Sequence, residues 1–487
     1  MTDKTPDNHV DESAAPRVPI VGNTGVIGTV GQGLIDATPV PKRWVRAWAL
    51  WDWGSASFNA VVTTFVFSRY LASDLFIDPD ILVAAGDDTR NPALVAANAT
   101  NATVLSGALT IAGVLVALLA PILGQRSDGS GRRKLWLGVN TALVVVSMAA
   151  MFFVLPIPSY IYLGAALLAV GNLFFEFASV NYNAMLVQVS TPKTVGRVSG
   201  FGWGMGYVGG IVLLIILLAL FLQSFGSDTT SGLLGVPSGG EGGALDVRFA
   251  ILASALWFAI FALPVLLTVP EIPPRIRENR VSFFGSYAVL FRTIRALATK
   301  SPQVLLFLLA SAVFRDGLAA VFTFGAIIAA QVFGFTSAEV IYFAVAANVV
   351  AGIGTFLGGW LDDRIGAKAI IIGSLVGLVI AGSSVLFIGN AKAGFWVAGL
   401  ALSLFVGPVQ SSSRSFLARI TPPGREGEIF GLYATTGRAV SFLAPGLFTL
   451  VVTATADTRY GIIGIVAVLL LGLLLMIPVR AVQSRIE

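Results

Sequence analysis

What most constrains this chain is a recurrence. Apolar runs of about twenty residues or more follow one another, separated by polar joints, from residue 46 to residue 479. They lie at 46–72, 102–124, 135–155, 159–188, 200–223, 249–269, 303–332, 338–361, 369–389, 395–417, 429–453 and 460–479. About 20 apolar residues is what an α-helix needs to cross a bilayer. Charge is too scarce for a soluble alternative. Of 487 residues, 12% are charged and 56% hydrophobic, where an ordinary soluble domain carries about 25% charged residues. The fold class read from this is an all-α membrane protein with twelve transmembrane helices.

An even number of spans puts both termini on one side, and the basic residues say which. With the N-terminus inside, 24 of the 31 lysines and arginines fall in inner segments and 4 in outer ones. That asymmetry is the one membrane insertion imposes. The net charge of +5 is therefore a topological signal, and no nucleic-acid partner is expected. The expected organisation is a disordered cytoplasmic tail at 1–43, a six-helix half at 44–270, a cytoplasmic linker at 271–301, a second six-helix half at 302–480 and a short tail at 481–487. The outer loop at 224–247 is rich in Gly and Ser and is expected to be flexible. Within the linker, Phe283, Tyr287, Leu290, Ile294 and Leu297 fall at helical spacing among Arg292, Arg295 and Lys300. That pattern predicts an interfacial helix on the inner leaflet.

The chain has no cysteine and one histidine, His9, in the polar tail. Disulfides, thiolate metal sites, cysteine nucleophiles and a serine–histidine hydrolase are excluded on that ground. No phosphate-binding loop of the Gly-x-x-x-x-Gly-Lys-Ser/Thr type is present. No enzyme activity, metal or cofactor is expected.

The two halves echo each other. After the second run stands GQRSDGSGRRK, with Gly124, Asp128, Gly131, Arg132 and Arg133. After the eighth stands GWLDDRIGAK, with Gly359, Asp363, Arg364, Gly366 and Lys368. Glycine, aspartate, glycine and a basic residue recur at the same spacing. A second echo pairs STPKTVGRVSG (190–200) with ITPPGREGEIFG (420–431). Such duplication in parallel orientation is how transporter halves are built. The glycines permit close approach of helix ends, and the aspartates suit helix caps or partners for arginine. The two loops are read as gating latches on the inner side.

The repeated Gly-xxx-Asp-xx-Gly-x-basic loop resembles the signature of the major facilitator superfamily of secondary transporters. Finer blocks are similar to the autophagy-related vacuolar effluxer family: RAWALWDWGSASFNAVVTTFVFSRY (46–70), YNAMLVQVSTPKTVGRVSGFGWGMGYVGG (182–210), LLASAVFRDGL (308–318) and SSSRSFLARITPPGREGEIFGLYATTGR (411–438). The resemblance implies twelve helices in two pseudo-symmetric halves, a monomer, alternating access and export of small metabolites, amino acids among them.

Charged and polar side chains inside the spans are the candidate path for substrate and protons, because a charge at the bilayer centre costs at least about 2.5–3.5 kcal/mol. They are Asp52 and Asn59 on the first span and Asn172, Glu176, Ser179 and Asn183 as one stripe on the fourth. Arg315 and Asp316 follow on the seventh, Gln410 and Arg414 on the tenth, and Arg438 on the eleventh. By depth, Asp316 and Arg438 are expected to pair near the midplane, and Glu176 either to carry substrate or to join the inner latch. The functional expectation is a proton-coupled transporter of a small polar metabolite, exporting by preference, in the cell membrane. A transport-inactive sensor or scaffold and a membrane-embedded transferase are the alternatives.

Overall fold

The computed structural model describes residues 39–222, 232–273 and 282–480, apart from 89, 238, 240–242 and 390. The expected tail at 1–43 lies outside these residues up to residue 38, as do much of the 224–247 loop, residues 274–281 of the linker and the tail at 481–487. Among the described residues, eleven helices are long and apolar enough to cross a membrane. The chain runs α1 (Lys42–Ala56), α2 (Phe67–Leu71), α3 (Pro79–Ala85), α4 (Pro92–Ser130), α5 (Arg133–Met151), α6 (Ile161–Ala184), α7 (Val195–Leu217) and α8 (Leu245–Thr268). There follow α9 (Phe283–Lys300), α10 (Pro302–Gln331), α11 (Ser337–Ile365), α12 (Ala367–Ser384) and α13 (Lys392–Ile420). The last are α14 (Glu426–Val440), α15 (Leu443–Thr455) and α16 (Gly461–Met476).

Two expected spans are not continuous. The first, at 46–72, is α1, then a π-helical segment Ser57–Phe65, then α2 after Val66 at φ −113°, ψ −67°. The hydroxyls of Thr63 and Thr64 both donate to the Asn59 carbonyl, at 2.6 and 2.8 Å. Hydroxyls that bond back to the helix backbone in this way weaken its regular ladder. The eleventh run divides into α14 and α15 at Ser441–Phe442. Pro445 lacks the N–H that would bond the Ser441 carbonyl, and the freed Ala444 N–H donates to Asp316 Oδ2 at 2.6 Å instead.

The halves of the chain meet where α4 packs along α14 and α7 along α11, with α13 against α7 and α6 against α14. One end of the bundle holds the ends of α4, α6, α11 and α13 and the starts of α5, α7, α12 and α14. Arg132, Arg133, Lys134, Lys193, Arg197, Arg364, Lys368, Arg419 and Arg425 all lie there, and it is called the basic end below. α9 packs on α10 and α4 beside it. Most of its expected apolar stripe turns toward the bundle, with Phe283 left exposed. Leu297 is buried, Leu290 and Ile294 pack on the core, and Tyr287 Oη donates to the Leu118 carbonyl.

Candidate functional site

The site is built around the seam between the halves, and its lowest layer is a pair of latches. Asp128, in the last turn of α4, accepts the backbone N–H of Gly427 and Glu428, both at 3.0 Å, in the first turn of α14. Asp363, in the last turn of α11, accepts the N–H of Gly196 and Arg197, at 2.8 and 3.1 Å, in the first turn of α7. First-turn N–H groups have no partner within their own helix and carry its positive pole. A carboxylate therefore fits there, and hydrogen bonds to a charged group contribute about 1.5–3 kcal/mol each. The glycines are needed for contact. A Cβ on Gly124 would stand 2.0 Å from the Gly427 carbonyl oxygen, and one on Gly359 would stand 2.8 Å from that of Gly196.

Each latch is locked by arginines. Arg133 bridges Asp128 at 2.6 Å and Glu426 at 2.5 Å. In the other latch Arg197 pairs with Asp363 at 2.9 Å, and Arg419 with Asp362 at 2.5 Å. Not all the residues expected in the loops take part. Gly131 (φ +64°) and Gly366 (φ +90°) end α4 and α11. Arg132 is exposed. Arg364 stacks on Trp360 of its own helix, 3.7 Å from the ring centroid, and Lys368 caps the Ile477 carbonyl at 2.7 Å.

Above the latches lies Arg414, only 2% exposed although charged. It comes from α13 and binds the first half of the chain. It donates to the Ser199 carbonyl at 2.6 Å, Ser199 Oγ at 3.0 Å, Asn183 Oδ1 at 3.2 Å and Asp52 Oδ2 at 3.3 Å. Its guanidinium stands 4.8, 5.6 and 5.0 Å from the ring centroids of Trp48, Tyr182 and Trp203, an aromatic setting that suits a desolvated cation. Tyr182 Oη donates to the same Asp52 oxygen at 2.8 Å.

Glu176 stands seven residues before Asn183, about 10 Å farther along α6 from the basic end. It forms an ion pair with Arg438 of α14, which also donates to Asn172 Oδ1 at 3.1 Å. Side-chain exposures of 33% and 25% for Arg438 and Glu176 show that this pair, unlike Arg414, is only part-buried. Arg315 donates to the Tyr433 carbonyl at 2.9 Å and stacks 3.9 Å from that ring. It also borders Gly437, next to Arg438. The arrangement sets a guanidinium and a carboxylate side by side at the seam between the halves, the two charges that a small zwitterionic ligand pairs with.

The polar stripe on α6 divides between two arginines: Asn183 meets Arg414, and Asn172 and Glu176 meet Arg438. The expected Asp316–Arg438 pair does not form, because helical depth does not give the direction a side chain faces. Arg438 takes Glu176, and Asp316 takes the Ala444 backbone. Asn59 is exposed on the π segment, and Gln410 accepts from Tyr207 Oη at 3.3 Å. Sequence reasoning missed Asp362, Glu426, Glu428 and the aromatic box of Arg414. The charges of GREGE after a Thr-Pro-Pro turn were the available signal for the second and third.

A family model described as vacuole effluxer Atg22 like matches residues 41–487. An uncharacterized MFS-type transporter, YxiO, of Bacillus subtilis (strain 168) is 26% identical over 444 residues, 89% of this chain and 95% of that protein. Autophagy-related protein 22-1 of Neosartorya fischeri is 25% identical over 326 residues, 61% of this chain and 51% of that protein, so the match spans about half of its length. Among solved structures, the proton:xylose symporter XylE bound to 6-bromo-6-deoxy-D-glucose is similar with a TM-score of 0.67 at 12% identity, covering 89% of this chain and 94% of that one. The major facilitator superfamily transporter FucP in the outward conformation gives 0.62 at 13% identity, covering 89% and 97%. These likenesses establish the major facilitator fold.

Proposed function

The chain belongs to the Atg22-like vacuole effluxer family, and from that premise we propose that it is a secondary active transporter, not an enzyme. Its cargo is a small zwitterionic metabolite of the amino-acid class, moved out of the cytoplasm by alternating access. In this reading the broken first run completes twelve spans in two six-helix halves. Both termini are cytoplasmic, the basic end faces the cytoplasm, and a monomer in the cell membrane suffices. The 24-to-4 sorting of basic residues supports that orientation. With both latches made, the site faces away from the cytoplasm.

The observation that carries the proposal is the Glu176–Arg438 pair, formed between the halves and only part-buried. A ligand carboxylate takes Arg438, with Arg315 as a second guanidinium, and a ligand ammonium takes Glu176. The ligand's two charges then replace the protein's own cross-half pair, so binding loosens α14 from α6. Protons are carried by carboxylates, since the chain's one histidine is His9. Glu176 is the assigned carrier, because it is the carboxylate that joins Arg438 across the halves.

The test is uptake of labelled amino acids into proteoliposomes under a pH gradient, on ligands first chosen by thermal shift, since a ligand that binds the folded state raises its apparent stability. At least one amino acid is carried by the native protein. Glu176→Gln weakens its binding about 10- to 100-fold, the value of one charge-assisted hydrogen bond, and abolishes dependence on the gradient. Native rates and pH dependence in that variant would remove Glu176 from the mechanism. Absence of flux for the whole panel would favour the sensor reading.

A further inference from the structure

The latch at α14 is tied to α9, and the outer face of α9 has a composition that the transport reading does not use. Arg425, just before α14, donates to Thr293 Oγ1 of α9 at 2.8 Å and to Glu428 Oε2 at 3.1 Å. Glu428 is the residue whose backbone N–H is held by Asp128. Thr293 is buried, so α9 is joined to the latch through one guanidinium.

The opposite face of the same helix is exposed among the described residues. Phe284 is 82% exposed and Phe291 is 70% exposed. With Ala288 and Arg295, both exposed, they form one stripe at spacings of four, three and four residues, the same side of an α-helix. Arg292, beside Phe291, is exposed as well. Arg292 and Arg295 have no hydrogen-bond or ion-pair partner among the described residues. Two bare rings about 10 Å apart with two unneutralised guanidiniums next to them would be unfavourable in water alone. They match a leaflet in which acyl chains receive the rings and phosphate groups meet the arginines.

We propose that the exposed face of α9 is a binding surface for anionic phospholipid of the leaflet at the basic end. Lipid bound there holds α9 in its docked position, and through Thr293, Arg425 and Glu428 it favours the closed latch. The charge complementarity selects the headgroup, and the rings select a bilayer over a soluble anion. The proposal rests on the latch geometry and on no particular transported substrate.

Because the chain lacks cysteine, two introduced cysteines are unique labelling sites. Arg132→Cys and Ala369→Cys, both at exposed positions of the basic end in opposite halves, carry spin labels for distance measurement in nanodiscs. Discs of phosphatidylcholine alone are compared with discs containing phosphatidylglycerol. The closed, shorter distance should gain population with phosphatidylglycerol. Arg292→Gln with Arg295→Gln should remove that response and weaken phosphatidylglycerol binding, read by native mass spectrometry, about fivefold for each arginine. Thr293→Val should keep the lipid bound but abolish the distance response. Equal distances in both disc types, an unchanged response in the double glutamine variant, or a full response in Thr293→Val would each overturn the proposal.

Discussion

Arg414 offers the sharpest quantitative test, because its charge is nearly removed from solvent and its partner can be changed separately. Its Nη1 stands 3.3 Å from Asp52 Oδ2. At an effective dielectric of about 20, two unit charges at that distance attract by about 5 kcal/mol. Desolvation offsets part of this, so the gross figure is a ceiling. Replacing Arg414 by Ala leaves the Asp52 carboxylate facing Tyr182 without its counter-charge. Breaking a buried pair from one side costs about 3–5 kcal/mol. Replacing Asp52 by Asn leaves the guanidinium among three aromatic rings and the Ser199 carbonyl, which keep much of its favourable setting, so that variant should lose less. The double variant removes both charges, and its loss should fall short of the sum of the two by about 2 kcal/mol or more. The measurement is equilibrium unfolding of the four proteins in mixed micelles. If the single losses add within about 0.5 kcal/mol, as independent sites do, Asp52 and Arg414 are not coupled. The assignment of this pair as the tie between α1 and α13 then fails.

Two further outcomes follow from the geometry. Gly124→Ala places a methyl 2.0 Å from the Gly427 carbonyl oxygen. α4 and α14 must separate, at a cost of about 1–3 kcal/mol, and a single cysteine at the basic end should then react faster with a water-soluble thiol reagent. Asp316→Asn keeps the shape of the cap but loses its charge. The α14–α15 break should weaken by about 1–2 kcal/mol, read as faster amide exchange at Leu443 and Ala444.

Much of this was legible in the sequence because bilayer thickness and backbone hydrogen bonding act on length and polarity, which a run of residues displays directly. The latches were legible because Gly124, Asp128, Gly359 and Asp363 recur in register. Three features were hidden, each for a physical reason. The box around Arg414 draws Trp48, Tyr182 and Trp203 from three helices, and no local spacing records their meeting. The partners of Asp316 and Arg438 depend on which way each helix face turns, which depth does not give. The apolar stripe of α9 was visible, but whether it meets protein or lipid depends on what lies beside it. The breaks at Ser57–Phe65 and Ser441–Phe442 had weak signals in Thr63, Thr64 and Pro445.

The two latches occupy corresponding positions, and the residues that follow their glycines carry opposite charges: Glu428 in one, Arg197 in the other. The same bond forms in both, because the donor is the main chain and not the side chain. Sequence drift at those two positions therefore cannot delete the donor, unless it introduces proline. What can be lost is the acid that accepts, or the missing methyl that lets it approach. The joint between the halves is thus insensitive to the side chain at exposed Arg197 and fragile at the accepting acids and at the glycines that face one another across it, Gly124 and Gly359 on one side and Gly196, Gly200, Gly427 and Gly431 on the other. A mutational scan of the basic end should show that unevenness as tolerance at Arg197 facing intolerance at Asp128, Asp363 and the glycines of all four helices.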